Sequence, residues 1–202
     1  MRRGDIDRYF REAAKGLKRP VRVYLTGGVA SWLMGGGRPT VDIDFAVKAS
    51  RAGWMNAEKA FSGTSLKLGI PAQFSEDISR WGMIEIPGYE KTAKFYKTFG
   101  TVSVYFLSEI AWSVGKLTRY HQSDLQDLVT VFKKGRPSLP KALRIWAAAV
   151  RKSPKSSSQF LFLKNVENFL GGYGRKIWGP SFSLDDSLAL FRKLLGDSNK
   201  YK

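Results

Sequence analysis

VRVYLTGGVASWLMGGGRPTVDIDFAV, residues 21–47, has the pattern strand, glycine turn, short helix, glycine-rich loop, second strand. VRVYL alternates branched or aromatic residues with others at the two-residue period of a strand. Gly27-Gly28 interrupts it, VASWLM is long enough for about two helical turns, and Gly35-Gly36-Gly37 ends that helix. Val41-Asp42-Ile43-Asp44-Phe45 alternates again. On a strand, side chains two apart share a face, which puts Asp42 and Asp44 side by side, roughly 7 Å apart along the chain. Val41, Ile43 and Phe45 are expected on the other face, in a core.

Two neighbouring carboxylates repel, and an unrelieved pair raises one pKa. A divalent cation removes the conflict, and Mg²⁺ takes oxygen ligands, commonly one or two carboxylates plus substrate phosphates. A glycine pair opening a helix offers backbone N–H groups with no side chain in front of them, a suitable place for phosphate. A phosphate cradle on one strand and an acidic pair on the next point to phosphoryl or nucleotidyl transfer. The competing account is a glycine-rich loop feeding an edge strand with a solvated polar face.

TGG…GGRPTVDIDF resembles the signature of the DNA polymerase β-type nucleotidyltransferase superfamily, a hydrophobic-Gly-Gly/Ser turn followed by Asp-x-Asp on the next strand. Within it, GGRPTVDIDF is most similar to the minimal nucleotidyltransferases related to the AbiEii and MenT toxins of bacterial toxin–antitoxin pairs. The resemblance covers roughly residues 20–132. It implies an α/β (α+β) core with a small mixed sheet over residues 1–107, a basic helical domain over 108–202, and a site in the cleft between them. In that reading Gly27 and Gly28 cradle the triphosphate of an NTP, and Asp42 and Asp44 bind Mg²⁺. Members often carry a third carboxylate on a later strand. Glu85 fits, because Met83-Ile84-Glu85-Ile86 resumes strand alternation, and Asp77 is the fallback.

A second block supports the same likeness. Thr101–Leu107 (TVSVYFL) is a clear strand, and SEIAWSVGKLTRY after it has Ile110, Val114 and Leu117 on one helical stripe, with Lys116 and Arg119 off it. Ser123 and Gln126 form a capping box for the next helix, whose apolar side is Leu125, Leu128, Val129 and Phe132. The order Lys116, Arg119, Asp124, Asp127 resembles the second motif of the AbiEii-like enzymes. By that resemblance Lys116 contacts nucleotide phosphates and Asp127 sits near the reaction centre, while Arg119 and Asp124 hold the two helices in register or contact substrate, Arg119 being counted among the nucleotide-binding candidates. Without it, the same residues make a helix-to-helix salt bridge. Two departures stand out: Gly28 replaces a frequent Ser, and Ser123 replaces a frequent Lys or Arg.

The remaining chain fills in the frame. Residues 5–17 form a helix with the stripe Ile6, Phe10, Ala13, Leu17, and another is expected over about 50–61 with Trp54, Ala57 and Phe61. Residues 62–79 read as loop. YEKTAKFYK (89–97) interleaves aromatics with lysines, suiting either base stacking or an amphipathic segment with solvated cations. A helix spans ALRIWAAAV (142–150) after Pro140, SPKSSS reads as a flexible break, and FLFLKNVENFL is a helix stopped by Gly171-Gly172. A last helix begins at Ser183 with Leu188, Phe191, Leu194 and Leu195 as its apolar side. His121, the only histidine, is placed in a loop and given no role.

Composition narrows the partners. The chain has 202 residues, with Lys+Arg 34 against Asp+Glu 17, a net charge of +17. Such an excess calls for a polyanion, nucleic acid first. From residue 128 to 166 there is no acid at all, against nine lysines and arginines, among them Lys133, Arg144 and Arg151. Absence of cysteine excludes disulfides and thiolate chemistry. MRRGDIDRYF lacks the apolar run of a signal peptide and no segment approaches membrane-spanning length. The expected setting is therefore the cytoplasm, and the expected partners are RNA, tRNA above all, and a cognate antitoxin protein. The expected activity is Mg²⁺-dependent transfer of an NMP to an RNA 3′ end. The alternatives are AMPylation-type nucleotidylation of a protein partner and an inactive relative that only binds nucleic acid.

Overall fold

Alternation in VRVYL is realised as strand β1 (Val21–Leu25), which buries Val21, Val23 and Leu25 on one face and carries Arg22 and Tyr24 on the other. It lies at the centre of a mixed five-stranded sheet in a computed structural model that describes residues 1–196. Strand β2 (Ile43–Lys48) runs antiparallel to β1, and β3 (Ala72–Ser75) runs parallel to β2 at one edge. On the other side β5 (Val102–Phe106) runs parallel to β1, and β4 (Lys94–Phe99) closes the second edge antiparallel to β5. The order is β3-β2-β1-β5-β4. The architecture is α+β: this sheet with its helices, then a helical C-terminal part.

The chain divides into two compact units. The first comprises Met1–Leu33, Gly37–Ile78 and Glu90–Ser108. Helices α1 (Arg3–Ala14) and α3 (Arg51–Leu68) cover one face of its sheet. Between helices and strands lies an aromatic core, in which the Phe45 ring meets Phe61 at 5.0 Å, Phe10 at 5.5 Å and Phe74 at 5.3 Å. Full burial of each such ring contributes about 2–3 kcal/mol, enough to lock the register that the alternating side chains demand. Helix α2 (Gly27–Leu33) follows β1 directly, and the short α4 (Tyr89–Thr92) precedes β4.

The second unit takes Met34–Gly36, Ser79–Tyr89 and the chain from Glu109 onward. It contains α5 (Glu109–Arg119), α6 (Gln122–Gly135), α7 (Leu139–Lys152), α8 (Ser157–Trp178) and α9 (Leu184–Leu195). Phe132 stacks on Trp146 at 6.2 Å, Phe169 meets both rings edge-on, and the Trp146 indole N–H donates to Ser113 Oγ at 2.9 Å. Among the described residues no helix is long and apolar enough to cross a membrane.

Several expectations are corrected. Helix α3 runs on to Leu68 and stops only at Gly69, whose φ of +63° ends it in the left-handed conformation. Residues 83–86 form no strand: after a 3-10 turn at Ile78–Trp81 the chain is irregular, with Ile84 and Ile86 buried and Glu85 exposed. Helix α6 starts two residues earlier than the capping box requires, with His121 at the N-cap position. Gly171-Gly172 does not stop α8. The helix runs on to Trp178, and further along it, at Gly174, a side chain would collide with the Phe182 ring that packs there, so that glycine serves a contact rather than a terminus.

Candidate active site

Strand β2 begins at Ile43, two residues later than the sequence pattern suggests. Val41 is therefore not in the core but 79 % exposed in the preceding loop, and Asp42 sits on the bend that leads into the strand. Asp44 is on the strand, on the face opposite Ile43 and Phe45. The backbone joins this point to the glycine turn, for the Thr26 N–H donates to the Asp44 carbonyl at 2.8 Å.

The Asp44 carboxylate lies against Gly27, and Asp42 is tied to Thr40, which lies against Gly28. Gly27 has φ +57°, and a Cβ there would lie 2.8 Å from the Asp44 carboxyl carbon and 2.9 Å from its Cβ. No side chain fits between them. A Cβ on Gly28 would lie 2.6 Å from Thr40 Oγ1, and the same hydroxyl donates to Asp42 Oδ1 at 2.8 Å. The glycine pair thus leaves room for the protein's own oxygen-bearing side chains: Asp44 against the first glycine, Thr40 and through it Asp42 against the second. Thr40 was not marked by the sequence patterns, although it stands two residues before Asp42. Gly28 also gains a local reason, since a serine there would contest the space of Thr40.

The donor set is hard and oxygen-rich, two carboxylates with a neutral hydroxyl bonded to one of them, and this chemistry suits Mg²⁺. Among the described residues no group of three or more His, Cys, Asp or Glu side chains is arranged to hold a metal. A two-carboxylate site agrees with that, because Mg²⁺ commonly completes its shell with water and phosphate. Of the candidates for a third carboxylate, Asp77 is exposed just after β3, its N–H bonded to Ser75 Oγ at 3.2 Å. Glu85 belongs to the second unit, where its N–H donates to Ser153 Oγ at 2.8 Å.

The second motif assembles inside the helical unit. Lys116 lies off the Ile110 stripe but is only 2 % exposed, because α6 supplies two partners: its ammonium donates to Asp124 Oδ1 and to Asp127 Oδ2, each at 2.7 Å. The Trp112 ring lies 5.5 Å from the same nitrogen. Arg119 bonds Asp124 through two nitrogens, at 3.1 and 3.3 Å. Two cations and two anions balance. Burial pushes the Asp124 carboxyl up, and the hydrogen bonds from Arg119 and Lys116 outweigh it, holding its pKa below the ordinary value. In this arrangement the network pins α5 to α6, with two of the three Lys116 N–H donors occupied.

Comparison of the chain with protein-family models, with curated proteins and with solved structures finds no match.

Proposed function

We propose that the protein is a Mg²⁺-dependent nucleotidyltransferase that moves an NMP from an NTP to an RNA 3′ end, with tRNA as the first acceptor to test. The observation that supports it most is the close approach of Asp44 to Gly27, which any side chain at Gly27 would block, with Asp42 held by the Thr40 hydroxyl that lies against Gly28. Asp42 and Asp44 would hold the ion, and a bound Mg²⁺ supplies charge neutralisation at the phosphates and a lowered pKa for the attacking hydroxyl. The chain's own part is positional. Thr40 fixes Asp42 by its hydrogen bond, and the turn at Gly27 fixes Asp44. In the transfer the 3′ hydroxyl gives its proton to solvent as its oxygen bonds to the α-phosphorus, the bond from that phosphorus to the α–β bridging oxygen breaks, and pyrophosphate leaves with the electron pair.

By the resemblance, Lys116 enters this proposal as a cation that exchanges one of its carboxylates for a nucleotide phosphate. The basic run from Lys133 to Lys155 would hold the acceptor by sequence-independent contacts. The likeness to the AbiEii and MenT enzymes adds the proposal of a toxin restrained by a partner protein.

The test is incubation with Mg²⁺, each labelled NTP in turn and total tRNA. Label should enter RNA with wild type and fall at least about a hundredfold with Asp44→Asn, as expected when a group that stabilises the transferring phosphate is lost. Label in protein instead of RNA would transfer the proposal to protein nucleotidylation. Salt-sensitive RNA binding that survives Asp42→Ala/Asp44→Ala, with no NTP consumed by wild type, would leave only a nucleic-acid-binding protein.

A further inference from the structure

The face of the sheet turned away from the Phe45 core carries a row of aromatic rings. Tyr24 on β1 is paired in register with Tyr105 on β5, and Tyr105 with Phe95 on β4. Tyr24 and Tyr105 stack, with centroids 5.4 Å apart and planes at 21°, and Phe95 meets Tyr105 edge-on at 5.5 Å and 69°. The row ends on an edge strand, where Phe95 is 59 % exposed. A ring so exposed in an otherwise well-buried aromatic set contributes little to folding. A bulge between Phe95 and Lys97 produces this placement. It sends Phe95 to the outer face, while the Tyr96 hydroxyl donates to Asp7 and the Lys97 ammonium pairs with the same carboxylate on α1.

The neighbours of the row give it a direction. Ala46 of β2 pairs with Tyr24, and Asp44 lies two residues along the same strand and face, roughly 7 Å away. On the opposite side the next register row holds Arg22 paired with Lys48, then Ser103. Along β2 and β1 the order is therefore acid, aromatic, cation, with Tyr24 buried and Lys48 paired with Glu90 at 3.8 Å, while the exposed end of the aromatic row, Phe95, lies three strands from β2, roughly 14 Å across the sheet. A single strand of nucleic acid has the complementary order when its terminal hydroxyl faces the acids: the base stacks on the rings and the upstream phosphates meet the cations.

We infer that Phe95 and Tyr105, backed by Tyr24, form a platform on which bases of a single-stranded nucleic acid stack as its end approaches Asp44. The inference rests on the nucleotidyltransferase reading for its direction, but the stacking itself does not. Stacking reads the π-face that every base has, so the platform takes RNA and DNA strands with little sequence preference. Double helices present no free base face and are excluded.

The experiment measures fluorescence anisotropy of labelled single-stranded RNA, single-stranded DNA and a duplex of the same sequence with wild type, Phe95→Ala and Phe95→Trp. Exposure of Phe95 means all three proteins should unfold at closely similar temperatures. Phe95→Ala should weaken binding of both single strands about five- to a hundredfold, the worth of one stacked base, and leave the duplex unchanged. Phe95→Trp should bind as wild type or tighter. Equal single-strand affinity in Phe95→Ala, or an equal loss for the duplex, would overturn the platform. A wild type that binds strands through Phe95 yet transfers no nucleotide ends the enzyme reading and keeps the platform. A wild type that transfers nucleotide while Phe95→Ala keeps its acceptor KM and affinity does the reverse.

Discussion

The Asp44 carboxylate rests against the α-carbon of Gly27, leaving less than a methyl group's space between them. Gly27 also has φ +57°. Two separate costs therefore attend Gly27→Ala, the left-handed backbone and the displaced carboxylate, and Gly69 separates them. It has φ +63° and nothing within 4 Å of where its Cβ would be. Gly69→Ala should cost about 1–2 kcal/mol for the backbone alone. Gly27→Ala should cost about 3 kcal/mol or more and also abolish Mg²⁺ binding measured by calorimetry. Equal costs with Mg²⁺ binding intact would remove Asp44 from any metal site.

Lys116 sits between two buried carboxylates, so removing its charge strands them. Lys116→Met should destabilise the helical unit by about 3–5 kcal/mol in urea titrations. Adding Asp124→Asn and Asp127→Asn should recover much of that loss, because neutral amides no longer need the cation, and the strong non-additivity would mark the three residues as one unit. If Lys116→Met unfolds at the wild-type urea concentration, the bridge is not what holds α5 to α6.

Acid should undo the same network. The Asp124 carboxyl is held below its ordinary value of 3.8, so it binds protons less readily folded than unfolded. Stability from this source is complete above that value and lost as pH falls through the lower folded one. Glu12 behaves alike at the surface, lowered to about 2 by hydrogen bonds from Lys15 and Lys67. The urea midpoint should be flat near pH 6 and decline below about pH 4. Asp124→Asn should shallow that decline more than Glu12→Gln, since Asp124 is buried and the Glu12 pairs are screened by solvent.

How far the chain could be read follows from which interactions are local. Strands β1 and β2 and the glycine turn were legible because alternation and Gly-Gly act over a few residues. Strand β4 was not, because the bulge at Tyr96 shifts the phase of KFYKTF and destroys the two-residue period. The burial of Lys116 was hidden for another reason: its partners lie 8 and 11 residues on, across a turn, and a stripe drawn on α5 alone puts it in solvent. The acidic pair could be named from spacing, but Thr40, which ties Asp42 to Gly28, is visible only in three dimensions. The end expected at Gly171 failed because glycine lowers helix propensity without forbidding the helix, and α8 runs on to Trp178.

Ser31 tests whether the helix beside the acids is built for stability or for something it holds. Its side chain is 2 % exposed on α2, one turn after Gly27, and its hydroxyl has no hydrogen-bond partner among the described residues. A buried hydroxyl left unsatisfied costs about 1–3 kcal/mol. Ser31→Ala removes that cost and one oxygen's volume while keeping the Cβ, and alanine is the better helix former. The variant should therefore be as stable as wild type or gain about 1 kcal/mol in urea titration. A gain together with unchanged Mg²⁺ affinity would make the serine a structural leftover of α2. A loss would mean that the hydroxyl finds a partner in solution, and the nearest functional group to ask about would be the turn that carries Gly27.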